Sequence, residues 1–171
     1  MPLSMSQLTI PAITQMLNSL SALVDKAAAC CRDQGMDPAD MMGARLAPDM
    51  FPFARQVQLA TDHAKGMTAR LAGREVPKYE DNEATFEELK ARIAKTLAFV
   101  RSVPASEIDG SEAREVTLNV GGKPRTFVGQ PYLVHFALPN FYFHVTTAYD
   151  ILRNKGVEIG KRDYIGMLPQ S

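Results

Sequence analysis

Apolar residues recur at three- and four-residue spacing from about Ile10 to Gln34, where Ile13, Leu17, Leu20, Val24, Ala27 and Cys31 fall on one face of a helix. Pro11 suits a first turn, where a missing N–H costs nothing, and Gly35 suits the residue that stops the helix. The stretch from Met36 to Pro52 holds three prolines and short apolar pieces, Met41-Met42 and Met50-Phe51, and reads as a packed connection with one turn of helix. A second stripe, Val57, Ala60, Ala64, Met67 and Leu71, predicts a helix over Phe53 to Ala72, ended by Gly73. A charged, proline-containing linker (Val76 to Asn82) follows. Phe86, Leu89, Ile93, Leu97 and Val100 then predict a third helix over Ala84 to Val103, closed by Pro104. Its Glu87, Glu88, Lys90, Arg92 and Lys95 are expected on the solvent face.

The period then drops to two. Val116, Leu118 and Val120 alternate with polar residues up to Gly121-Gly122, and Thr126-Phe127-Val128 follow, the pattern of a β-hairpin. A lone hairpin is unstable in water, so this one is expected to lie against the helices. A fourth helix is expected from about Pro139 to Lys155, or from as early as Pro131, with Phe141, His144, Val145, Ala148 and Leu152 inward and Gly156 as its stop. The tail, Val157 to Ser171, is too short for another long helix. Four helices with one apolar stripe each predict a mostly α fold, a four-helix bundle with a small hairpin between the third and fourth helices. One such bundle domain is expected over residues 1–171.

Composition narrows the partners. Hydrophobic residues are 46% and charged residues 22%, enough for a core that needs no metal or disulfide staple. Lys+Arg and Asp+Glu are both 19 and the formal net charge is zero, so no long-range field draws the chain to nucleic acid or anionic lipid. Polar residues interrupt every apolar run before membrane-spanning length, and neither a membrane span nor a signal peptide is expected. The two cysteines, Cys30 and Cys31, are adjacent and point about 100° apart on a helix, where neighbours rarely form a disulfide with each other; small buried side chains are their expected role, soft-metal binding or reactivity the alternative. No nucleic-acid partner, no membrane partner and a reduced, cytoplasmic setting are the expectations.

Candidate chemistry rests on three histidines, His63, His135 and His144. His63 follows Ala60 by three positions and precedes Met67 by four, so it shares the stripe of the second helix; His144 shares that of Phe141 and Ala148. Bundle cores assemble metal sites from facing helices, but a catalytic zinc requires at least a third protein ligand. Histidines on apolar stripes also serve as neutral, hydrogen-bonded core residues. Tyr142, Phe143 and Tyr149 are expected as core or groove aromatics, Asp62 and Asp150 as solvated or as partners of the histidines, and Lys161-Arg162-Asp163 as a charged, solvated end. No Ser-His-Asp arrangement, phosphate-cradling glycine loop or spaced Cys/His zinc signature is present.

The segment Asn140-Phe-Tyr-Phe-His144, continuing to Leu152-Arg-Asn-Lys-Gly156, resembles the fourth helix of DinB-like proteins, which reads His-x-x-x-His, an apolar run, Leu-Arg and a glycine. His63 stands where their second helix supplies another histidine. The Pro139–His144 stretch and the tail Gly160-Lys-Arg-Asp-Tyr-Ile-Gly166 resemble a branch of that superfamily described as a domain of unknown function. The resemblance implies a DinB-like bundle, often dimeric, with a divalent metal, zinc or nickel, held by His63, His144 and a third ligand, Asn140 or His135. It implies a metal-dependent hydrolase or a thiol transferase, or, as the alternative, a metal-free protein that binds a small ligand or a partner. Asn140 stands where the first histidine of the pair belongs, and an amide oxygen replaces an imidazole poorly at zinc or nickel. The expected site is therefore weakened or empty.

Overall fold

The computed structural model describes residues 3–168. Its elements are α1 (Met5–Gln34), α2 (Pro38–Met42), α3 (Phe53–Leu71), α4 (Phe86–Ser102), α5 (Ala105–Ile108), β1 (Glu115–Val120), β2 (Lys123–Val128), α6 (Gly129–Tyr132), a π turn (Leu133–Ala137), α7 (Leu138–Asn154) and α8 (Lys161–Ile165). The four long helices form the bundle. α3 lies between α4 and α7, α1 closes against α4 with lighter contact to α7, and α8 packs on α1. Among the described residues no helix is long and apolar enough to cross a membrane.

The stripes read from the sequence make the core. Ile13, Leu17, Leu20, Val24, Val57, Ala60, Ala64, Met67, Leu71, Leu89, Ile93, Val100, Phe141, Val145, Ala148 and Leu152 are all buried, as are Met41 and Met42 in the connection. Burying side chains of this size stabilises the fold by about 1.5–3 kcal/mol each for the larger ones. α1 starts five residues before the expected Ile10 because Ser4 and Gln7 form a reciprocal capping box, so Pro11 sits inside the helix rather than in its first turn. Thr85 and Glu88 cap α4 the same way. Cys31 is buried and Cys30 half-buried, both as free thiols.

β1 and β2 pair antiparallel with Val120 opposite Lys123, and Gly121 and Gly122 both take positive φ (59° and 79°), which a two-residue turn of the hairpin requires. The strand Val116 buries its side chain, and its partner Phe127 is half-buried against Tyr132 and Phe136. Chain exit from the hairpin is tight: a Cβ on Gly129 would stand 1.9 Å from the Ser111 carbonyl oxygen.

One expectation is corrected. Arg92 does not lie on the solvent face of α4; it is 3% exposed and turned into the α3–α4 seam, where Asp62 (2.7 Å), Glu83 (3.0 Å) and Asp81 (3.0 Å) neutralise it. A long arginine is buried when enough carboxylates surround it, which periodicity alone does not reveal. Of the expected core or groove aromatics, Tyr142 and Phe143 are exposed, because they follow the inward Phe141 by one and two positions, and Phe143 still lies against His144. Tyr149 is half-buried, edge-on to Tyr164 of α8. The Lys161–Asp163 end is tied down: Asp163 accepts from the Gly160 N–H and pairs with Lys26 of α1 at 2.6 Å.

Candidate functional site

α3 and α7 face each other along their apolar stripes, and this packing brings His63 and His144 together. Their rings are near-parallel, 16° apart, with centroids separated by 5.4 Å. His144 is buried and His63 half-buried. Both are held near a pKa of about 4, well below the usual histidine range. Burial is the main cause for each; His144 itself, Arg70 and Lys65 act further on His63 against the opposing pull of Asp62, and Arg55 acts on His144. Both imidazoles are therefore neutral at pH 7.

The tautomer of His144 follows from its neighbour. Gln56 donates from Nε2 to the Phe51 carbonyl at 3.1 Å, a group that can only accept. Its Oε1 therefore faces His144 Nδ1 at 2.7 Å and must receive a proton from it. With Nδ1–H committed to Gln56, the neutral ring carries its free lone pair on Nε2. Gln56, 1% exposed on the first turns of α3, had no signal in the sequence beyond its position one residue before the stripe residue Val57.

The helix leading to His144 is continuous from Gly129, through the π turn, into α7. Pro139 explains the turn: it has no N–H for the carbonyl of His135, four residues back, and its ring crowds that carbonyl, so the helix widens there. From Leu138 on, the helix is regular, and Asn140 lies one turn before His144 on the same side. Asn140 is half-buried and donates from Nδ2 to the Phe136 carbonyl at 2.7 Å, leaving its Oδ1 on the other side of the amide. His135, on the π turn, is exposed and does not join the pair. Among the described residues no three His, Cys, Asp or Glu side chains gather in a metal-binding group. Asp150 is exposed, and Asp62 is engaged by Arg92 and by Lys65 at 2.6 Å.

Aromatic rings surround the pair. Phe143 stands edge-on to His144 (5.2 Å, 86°), and Phe136 stands edge-on to His63 (6.3 Å, 63°). Phe136 continues to Tyr132 and Phe127 at centroid separations of 6.0 and 5.2 Å, which joins the hairpin to the site wall. The arrangement offers two neutral imidazoles, one with an assigned acceptor nitrogen, an amide oxygen one turn away, and an apolar wall.

A family model described as "Domain of unknown function (DUF1993)" matches residues 5–165. Among solved structures, the chain is similar to a DinB family member protein from Shewanella denitrificans, determined at 1.83 Å resolution. The identity is 38%, over 97% of this chain and 94% of that one, with a TM-score of 0.87. No curated protein matches the chain significantly.

Proposed function

The chain belongs to the DUF1993 family within the DinB-like superfamily, and from that premise we propose that His63 and His144 form a low-affinity site for a divalent transition metal, zinc or nickel, with Asn140 as a weak third donor. The observation that carries this reading is the Gln56–His144 hydrogen bond. A histidine that binds a metal through one nitrogen characteristically donates its other N–H to an oxygen acceptor, which orients the ring and raises its basicity. Two further features fit. Both rings are neutral at pH 7, so neither needs to lose a proton before it can donate its lone pair. Two imidazoles on one tetrahedral zinc, with Zn–N of about 2.0–2.1 Å, have centroids roughly 5 Å apart, close to the 5.4 Å here, and because the rings are stacked 16° from parallel one of them must turn for both lone pairs to meet a single ion.

The donor set also limits affinity, because an amide oxygen contributes far less than a third imidazole or a carboxylate to a site of this softness. When bound, such an ion supplies a Lewis acid that lowers the pKa of a coordinated water or thiol, the chemistry of a hydrolase or of a thiol transferase. The chain's own part is to hold His144 Nε2 and His63 at fixed separation, keep them uncharged, and line the approach with Phe136 and Phe143. Titration calorimetry of chelator-treated protein with zinc and with nickel tests this. Binding at one site per chain that weakens at least tenfold in both His63→Ala and His144→Ala is expected; identical binding by the native protein and both variants would overturn it.

A second reading has its own observation. With no three-ligand group among the described residues, the pair and its aromatic wall also suit a metal-free pocket in which His144 Nε2 accepts a hydrogen bond from a small ligand. Retention of such a ligand by chelator-treated protein would separate this reading from the first.

A further inference from the structure

Arg70 differs from Arg55, Arg74 and Arg92. Arg55 pairs with Asp81, Arg74 with Glu107 and Arg92 with three carboxylates, whereas among the described residues Arg70 has no carboxylate within ion-pair distance. It is half-buried on α3, two turns beyond His63 on the same side. Its one side-chain partner is the hydroxyl of buried Tyr132, at 3.3 Å from Nη1. The guanidinium folds back over Gly66, where a Cβ would stand 2.5 Å from Nη1. Gly66 lies inside α3, where glycine costs about 1 kcal/mol relative to alanine. The missing side chain is thus the space the guanidinium occupies.

A planar cation with one polar partner, beside a wall of aromatic rings, matches one class of ligand. We infer that Arg70 is the anion receptor of the histidine site, and that the site takes a small monoanionic carboxylate with an apolar or aromatic body. This deepens the metal-site reading by naming its substrate class. The guanidinium fork matches the two oxygens of a carboxylate, and the half-buried Phe127 and Phe136 accept the apolar body. The neighbouring Lys65 is already neutralised by Asp62 at 2.6 Å, so of the two α3 cations flanking His63 Arg70 alone carries an unbalanced charge, which matches a monoanion.

The experiment uses the full chain and two separate titrants, sodium benzoate and zinc, with benzamide and phenyl phosphate as comparisons, read by NMR of the histidine ring protons and by calorimetry. Benzoate is expected to bind at one site per chain, shift the His63 signals, and bind at least tenfold more tightly than benzamide or phenyl phosphate. Arg70→Gln is expected to lose about ten- to hundredfold in benzoate affinity, what one charge-assisted contact is worth, while zinc binding stays within twofold. Gly66→Ala keeps the arginine and a good helix former but fills its seat; it is expected to weaken benzoate as Arg70→Gln does without lowering the melting temperature. Benzoate binding unchanged in both variants, no benzoate binding to the native protein, or tighter binding of phenyl phosphate would overturn the inference. Loss of zinc binding in His63→Ala with benzoate retained supports both readings, and absence of zinc binding in the native protein with benzoate bound through Arg70 sinks the metal alone.

Discussion

Gln56 on α3 accepts the Nδ1 proton of His144 on α7 at 2.7 Å, while its own amide nitrogen is spent on the Phe51 carbonyl. One buried amide therefore decides which nitrogen of the only buried histidine stays free. Gln56→Leu keeps the volume and removes the acceptor, so the buried Nδ1–H is left without a partner. A loss of about 1–3 kcal/mol in unfolding free energy is expected, together with a ten- to hundredfold weaker zinc or nickel affinity. Urea unfolding and calorimetry on the same preparation check both. Unchanged stability with unchanged metal affinity would show that the bond orients nothing.

The pair also sets a pH dependence. Both histidines titrate near 4 when folded and near 6.5 when unfolded. Between those values the unfolded chain binds more protons, so stability rises with pH. The contribution is fully present above about pH 6.5, falls as pH drops towards 4, and is gone below both values. Its size is on the order of 3 kcal/mol per histidine as an upper bound. Chelator-treated protein should show urea midpoints that fall steeply between pH 6.5 and 4, and His63→Phe should flatten part of that slope. A flat profile for the native protein would mean that neither ring is held neutral.

The stripes of the four helices were legible because each is a run of mostly apolar side chains at helical period. Leu17, Ala64, Leu89 and Ala148 read as core from spacing alone and are buried. The hairpin was legible from its change of period and its glycine pair. What could not be read depends on tertiary contacts. Arg92 looks like any solvated arginine until Asp62, Asp81 and Glu83 are seen to converge on it from α3 and the linker. Gln56 carries no pattern of its own, and the unpaired state of Arg70 is visible only once the carboxylates of its neighbours are placed. The histidines could be assigned to faces, but their 5.4 Å separation comes from how α3 packs on α7.

Arg92 offers a direct test of that buried network. Removing its charge leaves Glu83 without a counter-ion and Asp62 and Asp81 with only Lys65 and Arg55, and it removes the bond from Nε to Thr61 Oγ1 at 2.7 Å. Arg92→Met is expected to cost about 3 kcal/mol, the lower end for breaking a buried pair, because Asp62 and Asp81 can turn towards water. Urea unfolding at pH 7 measures it, with Arg92→Lys, which keeps the charge, as the comparison; equal losses in the two variants would show that packing, not charge, holds the seam.

Asn140 tests the metal reading most sharply, since it is the position where one atom type decides affinity. It lies four residues before His144 in the regular part of α7, beyond the π turn, so a side chain there sits one turn above His144 on the same face. A histidine pair at this spacing on one helix is a known zinc-binding arrangement. In the native chain the amide donates to the Phe136 carbonyl and can offer only its oxygen. Asn140→His would add a third imidazole to His63 and His144, and three nitrogens plus a water make a complete catalytic zinc set. Zinc affinity should rise by two orders of magnitude or more. At zinc about a hundredfold above the dissociation constant, the variant should gain about 2.7 kcal/mol, roughly 5–10 °C in melting temperature for a domain of this size. Native protein in the same zinc should gain far less. Asn140→Ala separates the two roles of the residue: it loses the Phe136 bond and the weak donor together, so it should lower the metal-free melting temperature slightly and zinc affinity by severalfold. If Asn140→His gains neither affinity nor melting temperature, position 140 does not reach the pair, and the metal reading then has no third ligand on α7 to stand on.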